Sequence, residues 1–502
     1  MTSLILNVLT VVHFLAVGGL ALYGIHRIWM IYCWRRCARI SSAIEPDPEF
    51  KKDLSLPAVL PTVTVQLPLY NESLVAGRLI DAVAAFDWPT EKLEIQVLDD
   101  STDNTSRVVD ERVACWSARG MDIRAVRRQR RTGYKAGALA NGLDRAKGEL
   151  IALFDADFVP RPDFLRKMVP HFTRPNIGMV QARWGFLNNG YSWLTRLQSL
   201  LLSTHFGIEH EVRFRRGLFF NFNGTAGIWR KTAIESAGGW SSDTVTEDLD
   251  LSYRAQMAGW RFVYAGDVVV PSELPVTLSD FRRQQERWGK GAIQTARKLL
   301  PKLMVSAVPP GVKIEAAAHL LANFCWIFAF TATITLFPVL LNRIGIGVYQ
   351  IIWFDVPLFL LTGIAVICYY LIYGWRACRR RDLWVLPLLP AASIGLAPFF
   401  SLAVIKGLTQ KGGVFLRTPK FGITDGIPAT FQTTIQTHGI VNLMINLPLL
   451  LYSLVPVVFA WHRGTWPAIP FLCFFPLGFC IIMGSDLREL LQVVGKKGTK
   501  TA

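Results

Sequence analysis

Long apolar stretches constrain what this chain can fold into more than any other feature of its sequence. A helix needs about 20 apolar residues to cross a bilayer, and residues 3–34 exceed this length with His13, His26 and Arg27 as the basic interruptions. This segment is also too long for the core of a signal peptide. Four further stretches lie at residues 315–341, 350–374, 436–461 and 466–484. We therefore predict an integral membrane protein with about five transmembrane helices.

Basic residues beside these stretches indicate the orientation of the chain. Clusters follow the first, third and last stretches, and they consist of Arg35, Arg36 and Arg39, then Arg376, Arg379, Arg380 and Arg381, then Lys496, Lys497 and Lys500. Because basic flanks stay on the cytosolic side, we expect the N-terminus outside and residues 35–310 in the cytosol. The expected location is the plasma membrane, which in a bacterium is the inner membrane.

The apolar segment at residues 383–407 does not fit this topology as a sixth span. It contains Pro387, Pro390 and Pro398, which are expected to interrupt a helix. A full crossing would also carry the basic segment 411–420 to the outside. We therefore predict that residues 383–407 lie in the membrane interface or re-enter on the same side.

Residues 62–270 alternate between short β-rich runs and helical stretches. Strands are predicted at 63–67, 93–98, 123–126, 150–154 and 177–181, and helices at 74–86, 106–119 and 135–146. This alternation is typical of a parallel, doubly wound sheet, in which ligands bind at the carboxyl ends of the strands. The fold class is therefore predicted to be an α/β domain joined to an all-α membrane region.

Acidic and amide side chains follow three of the predicted strands. The first runs into Pro68-Leu69-Tyr70-Asn71-Glu72, the second into Asp99-Asp100-Ser101 and the fourth into Asp155-Ala156-Asp157. A single carboxylate at a strand end is often a turn former or a helix cap, but three such ends together indicate a binding site. Asp155 and Asp157 offer two hard oxygen ligands, which suit Mg²⁺ or Mn²⁺ with a substrate diphosphate.

Two later segments also carry groups that are suited to catalysis. Residues 245–250 read Val-Thr-Glu-Asp-Leu-Asp, which fits a helix start capped by Thr246. In the functional alternative, one of these carboxylates takes a proton from an attacking hydroxyl. Residues 281–288 read Phe-Arg-Arg-Gln-Gln-Glu-Arg-Trp, and their composition fits an interfacial anchor. Trp also offers a flat face to a sugar ring, however, and Arg offers a fork to phosphate oxygens.

The order of these motifs resembles the processive membrane glycosyltransferases of family 2, the cellulose synthase superfamily. The superfamily's D, DxD, TED and QxxRW motifs match Asp99/Asp100, Asp155–Asp157, Thr246–Asp248 and Gln284–Trp288. Residues 223–230, Asn-Gly-Thr-Ala-Gly-Ile-Trp-Arg, and the QQxRW form look like the plant cellulose-synthase-like A and C groups and their bacterial relatives. The resemblance covers residues 60–425 and implies a GT-A (Rossmann-like) cytosolic domain.

The resemblance also implies roles for individual residues. Those implied to bind the nucleotide sugar are Tyr70, Asn71, Glu72, Asp99, Asp100, Lys135, Asp155, Gln284 and Arg287. The metal, Mg²⁺ or Mn²⁺, is assigned to Asp155 and Asp157. Asp248 is implied as the general base with Glu247 beside it, and the acceptor-binding residues are Thr246 and Trp288. The family's gating loop, FxVTxK, is matched by Phe415, Arg417, Thr418 and Lys420, where Arg417 replaces the valine.

These roles predict an inverting and processive hexosyltransferase. The donor is UDP-glucose or GDP-mannose, and the acceptor is the non-reducing end of a growing β-linked polysaccharide, namely a β-glucan, mannan or glucomannan. Attack on an α-linked donor from the face opposite the leaving diphosphate gives one inversion and hence a β-linkage. The hydroxyl groups of a polysaccharide find no hydrogen-bond partners in the hydrocarbon core of a bilayer. The membrane helices are therefore expected to provide a path for export.

Three other functions are open to a chain of this composition. A non-processive enzyme that moves one sugar to a membrane lipid shares the Asp cluster, but the QxxRW motif and the two C-terminal spans weigh against it. A transporter without catalysis predicts charged residues within the spans, whereas the carboxylates cluster in the soluble block. The net charge of +17 suggests nucleic acid, yet Arg and Lys concentrate at membrane edges and near the expected phosphate site. The expected partners are therefore the nucleotide-sugar donor, a polysaccharide or lipid acceptor and membrane lipids, with no nucleic acid.

The predicted domain order follows from these assignments. It comprises an N-terminal transmembrane helix (1–36), a linker (37–61), the GT-A domain (62–275), an interfacial QxxRW segment (276–310), two transmembrane helices (311–382), an interfacial or re-entrant helix with the gating loop (383–430), two more transmembrane helices (431–486) and a basic cytosolic tail (487–502). The composition agrees, because 18% of the residues are charged, against about a quarter in a soluble domain.

Overall fold

The structure is a computed structural model that describes residues 2–40, 55–343, 351–377, 380–423 and 438–498. Residues 41–54, 424–437 and 499–502 lie outside these ranges. They belong to the predicted linker, to the gating-loop region and the last membrane unit, and to the basic tail, respectively. Within the described residues, a long apolar helix precedes an α/β domain, and a bundle of apolar helices follows it. The predicted fold class is therefore confirmed.

Seven strands form one mixed sheet with the strand order β3-β2-β1-β4-β6-β5-β7. The strands are β1 (Val63–Leu69), β2 (Leu93–Asp99), β3 (Asp122–Val126), β4 (Leu150–Leu153), β5 (Ile177–Phe186), β6 (Gly227–Arg230) and β7 (Arg261–Ser272). Strands β1 to β4 pair in parallel, whereas β6 runs antiparallel to both β4 and β5. The prediction of a parallel sheet is thus wrong at β6, because this short strand enters between β4 and β5 from the opposite direction.

The three central strands β2, β1 and β4 determine where a ligand can bind. Their residues are almost all buried. In β1 and β2 one face is mainly Val, Ile and Leu. The opposite face carries polar side chains that hydrogen-bond across the strands, Thr64 to Glu94 and Gln66 to Gln96. The parallel register aligns β1 with β2 and with β4. The carboxyl ends of these three strands therefore lie side by side at one edge of the sheet.

Helices cover both faces of this sheet. They are α2 (Ser73–Ala84), α3 (Thr105–Ser117), α4 (Tyr134–Leu143), α5 (Phe164–Met168), α6 (Trp193–Thr204), α7 (Glu211–Arg215), α8 (Lys231–Ser236) and α9 (Glu247–Met257). A π-helical turn, His205–His210, joins α6 to α7. Two further helices, α10 (Leu278–Val305) and α11 (Pro310–Leu321), connect the domain to the apolar bundle.

The apolar helices are α1 (Thr2–Ile40), α12 (Phe324–Asn342), α13 (Val356–Phe359), α14 (Ala365–Ala377), α15 (Leu388–Thr409), α16 (His438–His462), α17 (Ile469–Leu472) and α18 (Phe474–Gly498). Six segments of the described chain are long and apolar enough to cross a membrane, and they are Leu4–Cys37, Phe324–Asn342, Trp353–Arg376, Leu388–Thr409, Val441–His462 and Trp466–Leu491. One of them, α15, is the segment for which we predicted an interfacial or re-entrant position.

Helix α15 differs from the other five segments in its packing. Its prolines do not interrupt it, because Pro387 precedes the helix, Pro390 lies in its first turn and only Pro398 lies inside. In the most apolar part of α15, 61% of the residues are buried within the protein, whereas the corresponding share in the other five segments is 11% to 28%. Helix α15 is therefore mostly enclosed by protein and packs against α10, α12 and α18, while Leu402, Ile405 and Leu408 stay exposed. The interfacial or re-entrant position stays a prediction.

Candidate active site

A cavity opens at the carboxyl ends of β1, β2 and β4, and most of the predicted site residues line it. They are Tyr70, Glu72, Asp100, Lys135, Asp155, Asp157, Glu247, Asp248, Gln284, Arg287, Trp288, Phe415, Arg417, Thr418 and Lys420. We call this space the outer cavity. Segments that are more than 300 residues apart in the sequence thus meet in one place.

The predicted residues Asn71 and Asp99 shape the outer cavity without lining it. Asn71 lies in the left-handed region with φ 57°, and its backbone N–H donates to Ser101 Oγ at 2.9 Å. Its side-chain oxygen accepts from the backbone N–H of Thr102 at 2.8 Å. Asp99 is buried and accepts from the N–H of Ser101 at 3.0 Å and from Arg127 Nε at 2.9 Å. Asn71 therefore joins the loops that follow β1 and β2, and Asp99 joins those that follow β2 and β3.

The aromatic side chain of Tyr70 forms a flat wall of the outer cavity. The guanidinium carbon of Arg131 lies 3.4 Å from the centroid of the Tyr70 ring, which is a close cation–π contact. Arg131 also lines the cavity, although no motif in the sequence pointed to it. A planar ligand such as a nucleobase would meet an aromatic or guanidinium surface here.

The two carboxylates of the DxD motif are both paired with lysines. Asp155 Oδ1 accepts from Lys135 Nζ at 2.5 Å, and the same ammonium donates to the carbonyl of Gly224 at 2.8 Å. Asp157 Oδ2 accepts from Lys420 Nζ at 2.8 Å. Burial alone would lower the pKa of Lys135, but the carboxylates of Asp155 and its neighbours outweigh burial and raise it.

The donor chemistry of this corner fits a hard divalent cation. Its ligands are carboxylate oxygens, which Mg²⁺ and Mn²⁺ prefer. Burial, with smaller contributions from the charges of Asp157 and Asp155, raises the pKa of Glu72 to about 7 against the opposing effect of Arg417. No cluster of three or more His, Cys, Asp or Glu able to hold a metal occurs in the described residues. A cation held by Asp155 and Asp157 would therefore need oxygens of the substrate as additional ligands.

The TED motif lies at the start of α9, where Asp248 is half-buried beside Glu247. Burial and the negative charge of Glu247 raise the pKa of Asp248 to about 7, against the opposing effect of Lys135. Thr246 is the N-cap residue of α9 but its side chain makes no capping hydrogen bond, whereas Glu247, Asp248 and Asp250 do lie in the first turn of the helix. Gly224 has φ +81°, and a Cβ on it would approach Asp248 Oδ2 to 2.9 Å. Only glycine therefore leaves this carboxylate in place.

The QxxRW motif lies on α10 and forms the boundary of a second, inner cavity. The rings of Trp288 and Trp184 have centroids 6.4 Å apart. Arg287 lies over the ring of Phe415 at 4.5 Å, and its buried Nε has no hydrogen-bond partner among the described residues. An anion entering the outer cavity would therefore find a free donor here.

The inner cavity extends from Asp248 and Trp288 into the apolar bundle. Its walls combine aromatic rings with polar groups, and they include Tyr23, Arg27, Trp184, His205, Glu209, Thr246, Trp326 and Tyr370. Thr246, which does not line the outer cavity, lines this one together with Asp248. The predicted acceptor-binding residues Thr246 and Trp288 thus both face the inner cavity.

Comparison with known proteins agrees with this geometry. Residues 61–291 match the family described as "Glycosyltransferase like family 2". The chain carries a glycosyltransferase domain of family 2. Together with the mixed sheet and its cavity, this match confirms the predicted GT-A fold. The predicted similarity to the cellulose-synthase-like A and C groups is also confirmed by the relatives of the glycosyltransferase domain.

Glucomannan 4-beta-mannosyltransferase 2 of Arabidopsis thaliana is 48% identical over 250 residues, which are 49% of this chain and 47% of the relative. Glucomannan 4-beta-mannosyltransferase 1 of Oryza sativa subsp. japonica is 42% identical over 299 residues, 58% of this chain and 56% of the relative. The chain thus spans about half the length of the curated relatives it matches. Among solved structures, mannosyltransferase PcManGT from Pyrobaculum calidifontis in complex with GDP-Man and Mn2+ is 20% identical with a TM-score of 0.48, over 82% of this chain and 99% of that one.

Three residues of the glycosyltransferase site escaped the sequence analysis, and they are Arg131, Trp184 and Glu273. Trp184 lies in the second half of β5, beyond the predicted end of that strand. Glu273 directly follows β7, a strand that the sequence analysis did not predict. One signal in the sequence could have identified Glu273. It is the acidic residue that lies between a strand of twelve residues and the helix with the QxxRW motif.

Proposed function

We propose that this chain is an inverting, processive β-mannosyltransferase of the plasma membrane, with its glycosyltransferase domain in the cytosol. Its donor is GDP-mannose and its product a β-linked mannan or glucomannan that leaves through the membrane helices. The position of Asp248 is the observation that carries this proposal, because Asp248 lines both cavities. One carboxylate therefore lies between a site with phosphate-binding groups and an aromatic passage into the bundle. The mannosyltransferase names of the curated relatives favour GDP-mannose over UDP-glucose.

The proposed reaction assigns the outer cavity to the donor. Asp155 and Asp157 would hold the divalent cation, which supplies positive charge to the leaving diphosphate. Arg287, whose buried Nε has no partner in the described part of the chain, and Gln284 donate to phosphate oxygens from α10. Lys135 keeps its proton, since three carboxylates raise its pKa, and it provides a fixed positive charge beside Asp155.

The acceptor enters from the inner cavity in this proposal. Its terminal ring stacks against Trp288 and presents a hydroxyl to Asp248, which takes the proton as the oxygen attacks the anomeric carbon. Attack occurs from the face opposite the diphosphate, so an α-linked donor gives a β-linked product. No carboxylate needs to act as a nucleophile. The aromatic and polar side chains of the inner cavity then contact the older sugars of the product.

A transfer assay with the purified full chain tests this function. With Mn²⁺ and radiolabelled GDP-mannose, we expect label in high-mass carbohydrate that an endo-β-1,4-mannanase degrades. UDP-glucose, offered alone, is expected to label much less of this material. Label confined to the lipid extract would instead support the alternative of a single transfer to a membrane lipid. A polymer made from UDP-glucose alone would contradict the assignment of the donor.

The assignment of the metal predicts a selective effect of Asp157→Asn. This variant is expected to weaken the binding of Mn²⁺ at least about tenfold, because it removes one of the two proposed ligands. Electron paramagnetic resonance of free Mn²⁺ during a titration in the presence of GDP measures the affinity directly. Asp267→Asn, which changes an exposed aspartate on β7, is the matched control and should leave the affinity unchanged. Equal affinity in wild type and Asp157→Asn would show that the metal lies elsewhere.

A further inference from the structure

Glu273 is a buried carboxylate that the proposed reaction does not use. It directly follows β7 and is 3% exposed. A buried carboxylate is costly unless hydrogen bonds compensate its charge. The partners of Glu273 fall into two groups, one on the DxD motif and one on the segment that matches the gating loop.

The main chain of Glu273 holds the DxD motif. Its backbone N–H donates to Asp157 Oδ2 at 3.0 Å. Its carbonyl oxygen accepts from Lys420 Nζ at 2.6 Å, and this same ammonium donates to Asp157 Oδ2 at 2.8 Å. Glu273, Lys420 and Asp157 therefore form a closed triangle of contacts.

The side chain of Glu273 holds residues 413–423, which we call the gating segment. Glu273 Oε1 accepts from the N–H of Phe421 at 2.8 Å, and Oε2 accepts from the N–H groups of Gly422 at 2.9 Å and Ile423 at 3.2 Å. Gly422 has φ +70°, a left-handed conformation that turns successive N–H groups toward one side. Such a concave run of amides is an anion-binding nest, and the Glu273 carboxylate occupies it.

The other contacts of the gating segment show what its docking covers. Directly before the segment, the N–H of Gly412 donates to the carbonyl of Asp243 at 2.8 Å. In the middle, Arg417 lies 3.3 Å from the Glu72 carboxylate. The segment thus crosses the outer cavity between an anchor beside α9 and the anchor on Glu273.

We infer that Glu273 is a positioning residue that couples docking of the gating segment to the position of Asp157. This inference rests on the proposed function, because its consequence concerns the donor bound beneath the segment. Glu273 binds Asp157 through its main-chain N–H and binds the gating segment through its carboxylate. Docking of the segment on Glu273 therefore places Lys420 within hydrogen-bond distance of Asp157. A donor under the docked segment is retained, and a loosened segment releases it.

The charge of Glu273 is tested by Glu273→Gln, which keeps the length of the side chain and the N–H donated to Asp157. We expect the KM for the donor to rise about tenfold or more with kcat changed less than about threefold, because an amide cannot accept from three N–H groups as a carboxylate does. Glu111→Gln, at an exposed site on α3, is the matched control and should change neither constant. A fall in kcat with an unchanged KM would contradict the inference.

A second measurement does not depend on transfer at all. Acetylation of Lys420, quantified by mass spectrometry against the exposed Lys302, reports whether the segment is docked. Wild type should protect Lys420, and Glu273→Gln should raise its relative reactivity about tenfold. Gly422→Ala should do the same from the other side of the contact, since alanine disfavours φ +70° while nothing closer than 3.5 Å blocks its Cβ.

The two measurements separate failure of the inference from failure of the proposed function. If no donor is turned over, the reactivity of Lys420 still decides whether Glu273 docks the segment. Unchanged reactivity of Lys420 in both Glu273→Gln and Gly422→Ala would overturn the inference even in an active enzyme. Glu273→Asp, which retains the charge on a shorter side chain, should restore part of the protection.

Discussion

Replacing Asp248 with asparagine is expected to lower kcat by about 10²- to 10⁴-fold, the usual contribution of a general base, while the donor still binds. Asparagine has the same size, and its Oδ1 can still accept from the N–H of Leu249, as Asp248 does at 2.9 Å. The variant should therefore fold normally and lose only the group that takes the proton. Single-turnover kinetics with GDP-mannose measure the chemical step, and equilibrium binding of GDP measures the donor site.

Asp267→Asn is the informative control for this experiment. Asp267 is exposed on β7 and lines neither cavity, so its variant should match wild type. Transfer by Asp248→Asn within about threefold of wild type would exclude Asp248 as the base, whatever the donor. Loss of GDP binding together with kcat would show instead that the side chain holds the donor site in shape.

The pH dependence gives an independent check of the same assignment. The proposed base must be ionised to accept a proton, and its pKa is raised to about 7 by burial and by Glu247. The value of kcat/KM should therefore fall about tenfold per pH unit below pH 7 and level off above it. Glu247→Gln removes the neighbouring negative charge, so the pKa of Asp248 should drop and the acidic limb should move to lower pH. A limb that does not move would assign the titration to another group.

The sequence predicts most of the outer cavity because the central strands are simple to recognise. Strands β1 and β2 carry Val, Ile or Leu at alternate positions, β4 is apolar throughout, and acidic or amide residues follow closely after each strand. Parallel strands that pair side by side must bring these ends together. The observed bounds of β1 and β2 extend the predicted strands by only one or two residues.

The features that the sequence did not predict depend on contacts between residues that are far apart in the sequence. Strand β6 has four residues, and only its position between β4 and β5 makes it a strand. Glu273 gains its partners from a segment about 150 residues later, which no local pattern can show. Helix α15 contains prolines that local rules treat as breaks, yet its position inside the bundle stabilises it as one helix.

A buried ion network joins the N-terminal helix to the glycosyltransferase domain, and it underlies the second large expected effect. Arg213, which is 1% exposed, donates to Glu315 Oε1 at 2.9 Å and lies 3.1 Å from Glu209 Oε2. Glu209 also pairs with Arg27 of α1, and Glu315 lies 2.9 Å from His26 of the same helix. Burial alone would raise the pKa of Glu209, but Arg27 and its other cationic neighbours hold it well below its usual value. Both carboxylates therefore depend on their cationic partners.

Replacing Arg213 with methionine is expected to destabilise the protein by about 3–5 kcal/mol, because two buried carboxylates lose a shared cation. Methionine fills much of the same volume, so the loss is one of charge and hydrogen bonds. Thermal unfolding in detergent should show a Tm lower by about 5 °C or more. Arg107→Met is the matched control, since Arg107 and its partner Glu111 are both largely exposed and such a pair contributes less than about 1 kcal/mol.

The double variant Arg213→Met with Glu315→Gln distinguishes charge from packing as the cause. Removing one of the two orphaned carboxylate charges should restore part of the lost Tm if uncompensated charge destabilises the single variant. A further decrease would show that uncompensated charge on Glu315 is not what destabilises the single variant. Arg27, Glu209 and His205, whose Nδ1 lies 3.3 Å from Glu209 Oε2, also line the inner cavity. Partial recovery of Tm without recovery of polymer length would therefore separate folding from passage of the product. The network would then serve two purposes, since it attaches α1 to the domain and provides a polar wall along the proposed path of the polysaccharide.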